Sequence, residues 1–367
     1  MRLQGQFDLV KIVNIRPELE HLSCGHFPSL NQDPLWNMTS SSKEEATPPR
    51  TFEMCAIHYE SPLYQAIALL NSPWGAKIKR LVCEISKIFR SHDDDEQQQQ
   101  QQYQINQPLE LEHLEYRCYK YWEMRTRYNL PVQMLLMPLL TYGTQLKHLD
   151  IRLFCRRRPA IFNGGMDSQA MPEYATLSNL IQLRHLCIHE SNSLYPASLD
   201  YLFSRIIMEH TPLTSFEYML SRFFPDVFCF EKLAHVPTLR HVTLYAFEPN
   251  YMDCTTVAVF TKALSPSRSI ESLHFKNGKE FTYERAFKYL SDNMSNRVKH
   301  LTFSSLYQTS HAGLKHLIKH HPQIETLRFI DIVGTFSEDM HVILPDLRAR
   351  GVKNVIWEMP YPINDRA

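Results

Sequence analysis

A six-residue pattern, hydrophobic-x-x-Leu-x-hydrophobic, recurs along this 367-residue chain. It reads LEHLSC at Leu19, IKRLVC at Ile78, LEHLEY at Leu111, LKHLDI at Leu146, LRHLCI at Leu183 and LTSFEY at Leu213. It continues as LRHVTL at Leu239, IESLHF at Ile270, VKHLTF at Val298, IETLRF at Ile324 and VKNVIW at Val352, with a weaker copy, FEMCAI, at Phe52. Taking the fourth residue of each copy as an anchor gives Leu22, Cys55, Leu81, Leu114, Leu149, Leu186, Phe216, Val242, Leu273, Leu301, Leu327 and Val355. The spacings are 33, 26, 33, 35, 37, 30, 26, 31, 28, 26 and 28 residues, about 30 on average.

Each anchor and its second neighbour are apolar while the residues beside them are mostly polar, the alternation of a short strand. Between copies the apolar spacing is helical. Pro196–His210 places Leu199, Leu202, Phe203, Ile206 and Ile207 on one face. Ser61–Leu70, Met252–Leu264, Tyr283–Met294, His311–His320 and Glu338–Leu347 read likewise. A single strand and helix cannot close a core, but stacked units bury a continuous one. The expected fold is α/β: one solenoid over residues 1–367, bent as a horseshoe. It has about twelve strand-helix repeats, a parallel concave sheet and convex helices.

These repeats resemble the leucine-rich-repeat superfamily, and in their irregularity those of F-box/LRR proteins, over about residues 7–360. The resemblance implies a non-enzymatic protein-interaction scaffold, a substrate receptor of an SCF-type ubiquitin ligase with a Skp-type adaptor and a cullin as partners. The alternative is a leucine-rich-repeat regulator of another enzyme, of GTPase-activator or inhibitor type. Two departures stand out. The family's Asn or Cys five residues after the anchor is replaced by Phe27, Tyr119, Phe154, Ser191, Phe247, Gly278, Leu306 and Ile332. No F-box is expected, because Phe7–Val13 reads as the end of a repeat helix running directly into LEHLSC.

Composition narrows the classes further. Lys plus Arg is 39 and Asp plus Glu is 39, so no broad electrostatic draw toward nucleic acid or an anionic membrane is expected. The longest apolar stretch, Val132–Leu140, is too short to span a membrane and contains Gln133 and Pro138. Ten glycines without clustering leave no phosphate-binding loop. Eight scattered cysteines without a CxxC read as reduced thiols, in the cytoplasm or nucleus. No enzyme motif, cofactor or metal site is expected. Residues 31–50 read as a flexible loop, and residues 91–107, with four acidic residues and six consecutive glutamines, as a disordered insertion.

Residues beside the anchors project to the concave side. The residue before the anchor is His in six copies: His21, His113, His148, His185, His241 and His300. Strands about 4.8 Å apart put three of these rings in a column, either a pH-sensitive or metal-binding surface or an ordinary polar choice. His316 and His320 stand one helical turn apart, and Arg156–Arg158 form a short basic run; both read as solvated surface. The expected partner-binding set on the concave face is Glu115, Arg117, Asp150, Arg152, His189, Tyr245, Lys276 and Arg328, a mixed-charge surface with aromatic groups suited to a protein. Arg117 and Arg152 are expected to be exposed.

Overall fold

The computed structural model describes residues 2–3, 21–24, 51–56, 70–71, 73–85, 105–118, 135–153, 177, 179–190, 196–220, 228–246, 252–306, 309–332 and 336–358. Residues 31–50 and 91–104, the segment Phe7–Val13, the start of the Ser61–Leu70 helix and Arg156–Arg158 lie outside them. The chain forms two compact units, residues 1–167 with 171–187, and residues 168–170 with 188–367.

In the first unit the strands β1 (Arg2–Leu3), β2 (His21–Cys24), β3 (Thr51–Ala56), β4 (Arg80–Ile85), β5 (His113–Cys118) and β6 (His148–Leu153) pair consecutively and in parallel. The strand β7 (His185–Glu190) begins in this unit. In the second unit β8 (Ser215–Leu220), β9 (His241–Ala246), β10 (Ser272–Lys276), β11 (His300–Ser304), β12 (Thr326–Ile330) and β13 (Asn354–Glu358) do the same. Helices Pro196–Met208, Cys254–Leu264, Glu284–Asn293, His311–His320 and Phe336–Ala349 follow strands as the apolar spacing predicts. The apolar run at 132–140 contributes to a short helix, Met137–Tyr142, whose Leu139 and Leu140 are buried. Among the described residues no helix is long and apolar enough to cross a membrane. Each unit is an α/β solenoid of strand-helix repeats on a parallel sheet.

The register shows why. Leu81 pairs with Leu114 and Leu114 with Leu149; Phe216 pairs with Val242, and Leu273 with Leu301 and so to Leu327. From Leu81 to Leu327 every anchor is at most 2% exposed. One anchor differs from expectation. Phe52, not Cys55, pairs with Leu22 and Leu81, which evens the spacing to 30 and 29 residues. FEMCAI is apolar at nearly every position, so alternation alone does not set its register.

Two backbone devices repeat. The carbonyl two residues before the anchor accepts two N–H groups from the next repeat. Lys79, Glu112 and Lys147 do so in the first unit, and Thr214, Arg240, Glu271 and Lys299 in the second. At the other end of the strand, Asn277, Ser305 and Asp331 hold φ of 62°, 53° and 52°. Their N–H groups donate to the carbonyls of Ser304, Ile330 and Glu358. These residues stand four after the anchor, one before the position the family uses. Asn277 also donates its side-chain amide to the Ala246 carbonyl, so a local substitute exists for the missing Asn ladder.

In the second unit the core becomes aromatic. Phe275, Phe303, Phe329 and Trp357 form a file with ring centroids 6.0, 5.9 and 5.3 Å apart. Phe281 and Phe287 meet Phe303 from the helix side at 5.0 and 5.5 Å. Gly313 lets the helix His311–His320 approach this group, since a Cβ there would lie 2.4 Å from Phe287. The end of the 91–107 stretch also belongs to the folded unit. Ile105 is 2% exposed, the Asn106 N–H reaches the Asn71 side chain and Gln107 donates to the Leu70 carbonyl.

Two tests follow. Leu149→Ala removes a fully buried anchor and is expected to cost about 2–5 kcal/mol in denaturant unfolding. Ser305→Val places a β-branched residue in left-handed backbone and is expected to cost about 1–2 kcal/mol, whereas Ser305→Gly leaves the midpoint equal or higher. Equal losses for Val and Gly would contradict the backbone account.

Candidate partner-binding face

Strand alternation sends the anchor and its second neighbour inward, leaving the residues before, one after and three after the anchor on the open side. In β9 and β10 the outward side chains are exposed or half-buried while their neighbours are fully buried. The expected site residues occupy two kinds of position. Glu115, Asp150 and Arg328 stand one after the anchor, and Arg117, Arg152, His189, Tyr245 and Lys276 three after it.

In the first unit, Glu115 and Asp150 face each other in register, as do Arg117 and Arg152. The carboxylates lie below and the guanidiniums above. Side-chain exposure is 12% for Glu115 and 7% for Asp150, against 28% for Arg117 and 30% for Arg152. The expected exposure of the two arginines is thus only partial. Glu115 accepts from Arg80 at 2.8 Å, from His113 at 2.9 Å and from Arg117 at 2.6 Å. The His113 contact foremost, then the Arg80 and Arg117 guanidiniums, hold this carboxyl far below the usual carboxylate range. Asp150 receives Arg152 through both Nε and Nη2, at 2.8 and 2.6 Å, the bidentate geometry that orients a guanidinium. A ladder of Lys79, Glu110, Glu112 and Lys147 runs along the strand entrances.

The histidine column is present. His113 and His148 stack with centroids 3.9 Å apart at 6°, and His148 and His185 at 4.1 Å and 8°. Imidazole lone pairs lie in the ring plane, so parallel rings cannot converge on one ion at the roughly 2.0–2.1 Å of a zinc–nitrogen bond. The middle ring, His148, is held in the neutral form. Burial, then the neighbouring His185 and His113, lower the His148 pKa from 6.5 to about 4, against the opposing pull of Asp150 and Glu115.

In the second unit His189 is 1% exposed rather than at the surface. Its Nε2 meets Glu217 at 2.6 Å, its ring lies 5.1 Å from Tyr245, and its Nδ1 is buried without a hydrogen-bond partner. The Lys276 ammonium sits 5.1 Å over the Tyr245 ring. His274 bonds Ser304 at 2.6 Å. Burial foremost, with Lys276 and Arg328 adding to it and Glu217 opposing, lowers the His274 pKa to about 4. Arg328 is paired with Glu358 across β12 and β13. Glu217, His274 and Ser304 escaped the sequence reading, although all three stand at outward positions of their copies. His316 and His320 lie 4.2 Å apart on their helix, with His320 Nδ1 turned to the His316 carbonyl. Cys83, Cys187 and Cys254 are buried, and burial pushes the Cys83 thiol up to about 12.

No protein-family model matches this chain, and no curated protein matches it. Among solved structures, the leucine-rich repeat-containing protein LegL7 from Legionella pneumophila is similar, with a TM-score of 0.42 and 11% identity over 88% of this chain and 97% of that chain. The repeat architecture of each unit rests on its own register and buried anchors.

A pH test follows from the column. A folded pKa below the ordinary value means that the neutral His148 stabilises the fold above pH 6.5, and that this contribution is lost as pH falls toward 4. The denaturant midpoint is expected to fall across that window and to fall less in His148→Phe, which keeps a ring but cannot titrate. An imidazole titration of His148 near 6.5, followed by NMR, would contradict a neutral His148 within the stack.

Proposed function

We propose that this chain is a protein-interaction scaffold whose partner lies against the open side of the strands. The openness of that side carries the reading. Parallel sheets are normally covered on both faces, yet here outward residues such as His241 and Arg328 are exposed beside fully buried anchors. Outward positions are free of the repeat's packing demand, so they are where specificity is written. Arg117 and Arg152, braced by carboxylates beneath them, and Tyr245, Lys276 and Arg328 are the proposed contact groups. Glu115 and Asp150 are positioning residues for the arginines, and the buried His189 is a positioning residue for Glu217. A non-catalytic role agrees with Glu115, which is held ionised by three donors and is no proton donor near neutral pH.

The narrower form of the proposal is a substrate receptor for a ubiquitin ligase, in contact with a Skp-type adaptor and a cullin in the cytoplasm or nucleus. It is supported by the resemblance of these irregular repeats to those of F-box/LRR proteins.

The test is affinity capture of the tagged full chain from its own cells, with mass spectrometry of what co-purifies. Thr302→Trp, which adds bulk to the open side, is expected to abolish capture of specific partners, while Lys262→Glu on the helix Cys254–Leu264 leaves it intact. Retention with Thr302→Trp would contradict the face assignment. Recovery of a Skp-type adaptor and a cullin would support the narrower form, and recovery of other partners without them would remove it.

A further inference from the structure

Among the described residues, the charges on the open side of the second unit are nearly all answered from within. Glu217 is bonded to His189, and Arg328 to Glu358. Lys276 is different. No carboxylate of the described residues lies within salt-bridge distance of it, and its ammonium rests over the Tyr245 ring instead. Such a contact holds a cation in place without neutralising it, and it restricts a flexible side chain before any partner arrives.

The surroundings suit an incoming anion. Tyr245 pairs in register with Lys276 from β9, and Ser304 from β11. Thr243 and Thr302 flank His274, each with a half-buried hydroxyl-bearing side chain. His274 itself donates or accepts at Ser304 and stays neutral near pH 7, so it neither repels nor replaces Lys276. The Lys276 and Arg328 charges both bear on His274, against the opposing carboxylate of Glu217, which His189 already engages.

We infer that the open side of β9 to β11 takes an acidic segment of a protein partner, with a Glu or Asp carboxylate of that segment seated on Lys276 beside Tyr245. The inference rests on the scaffold reading and specifies the chemistry of what the scaffold holds. The carboxylate supplies the counter-charge that none of the described residues provides, and the threonine and serine hydroxyls offer hydrogen bonds to its backbone. Arg328, already paired with Glu358, adds its field at this carboxylate and meets the partner elsewhere along the same face.

The probe is a short fluorescein-labelled peptide of alternating Glu and Ala, with the same peptide carrying Gln for Glu as its neutral counterpart, both measured by anisotropy against the full chain in low salt. The acidic peptide is expected to bind and the neutral one not. Lys276→Gln is expected to weaken binding about tenfold or more, the size of losing a charge-assisted hydrogen bond. Lys276→Arg is expected to keep it, and Lys353→Gln, at the entrance to β13, to leave it unchanged. Thermal unfolding of each variant establishes that it is folded. Equal binding by Lys276→Gln and the unaltered chain would overturn the inference, as would equal binding, or none, of the acidic and neutral peptides. If cellular partners are lost with Thr302→Trp but retained by Lys276→Gln, the scaffold reading stands and this inference falls. Retention with both substitutions overturns both.

Discussion

What faces outward in each unit depends on one inward constraint. Every repeat must present its anchor and second neighbour to the same two positions of the next strand, or the apolar layer opens. A one-residue slip would exchange the buried set for the polar set along the whole strand. Leu114, Leu149, Leu301 and Leu327 are fully buried on these terms. The doubly accepting carbonyl two residues before seven of the anchors locks the entrance of the strand to its neighbour, and Asn277, Ser305 and Asp331 lock the exit in the second unit. With both ends fixed, outward side chains at equal offsets are held about 4.8 Å apart.

That spacing shapes the surface chemistry. Stacked imidazoles form because His113, His148 and His185 share one offset in successive strands. Ion pairs form within a strand, Glu115 with Arg117 and Asp150 with Arg152, because residues two apart point the same way. The shorter acidic side chains sink to the sheet and the longer guanidiniums cover them. The result on the first unit is a set of arginines held in defined orientations, and on the second a lysine held by an aromatic ring. Pre-oriented groups of this kind lose little freedom when a partner binds.

The fold was legible because burial imposes alternation, and alternation survives in sequence. LRHVTL and VKHLTF show it plainly, and their strands stand where expected. FEMCAI does not, and its register was recovered only from its neighbours. The outward positions were legible as positions but not as environments. Nothing in LRHLCIHE says that His189 is buried against Glu217, a contact set by a residue 28 positions away. The depth of Asp150 beneath Arg152 likewise follows from side-chain length on a formed sheet rather than from spacing. The short helix Phe228–Leu233 was not foreseen, since six residues are too few to display a period.

The central claim is that partners meet the strand side and not the helix side. Site-specific photo-crosslinking tests it most directly, with benzoyl-phenylalanine placed at Thr243 or Thr302 on the open face and at Lys262 or Lys288 on the helices, in cells that express the full chain. Discrete adducts from Thr243 and Thr302, with none from Lys262 and Lys288, are the predicted result. Adducts from the helix positions alone would contradict it.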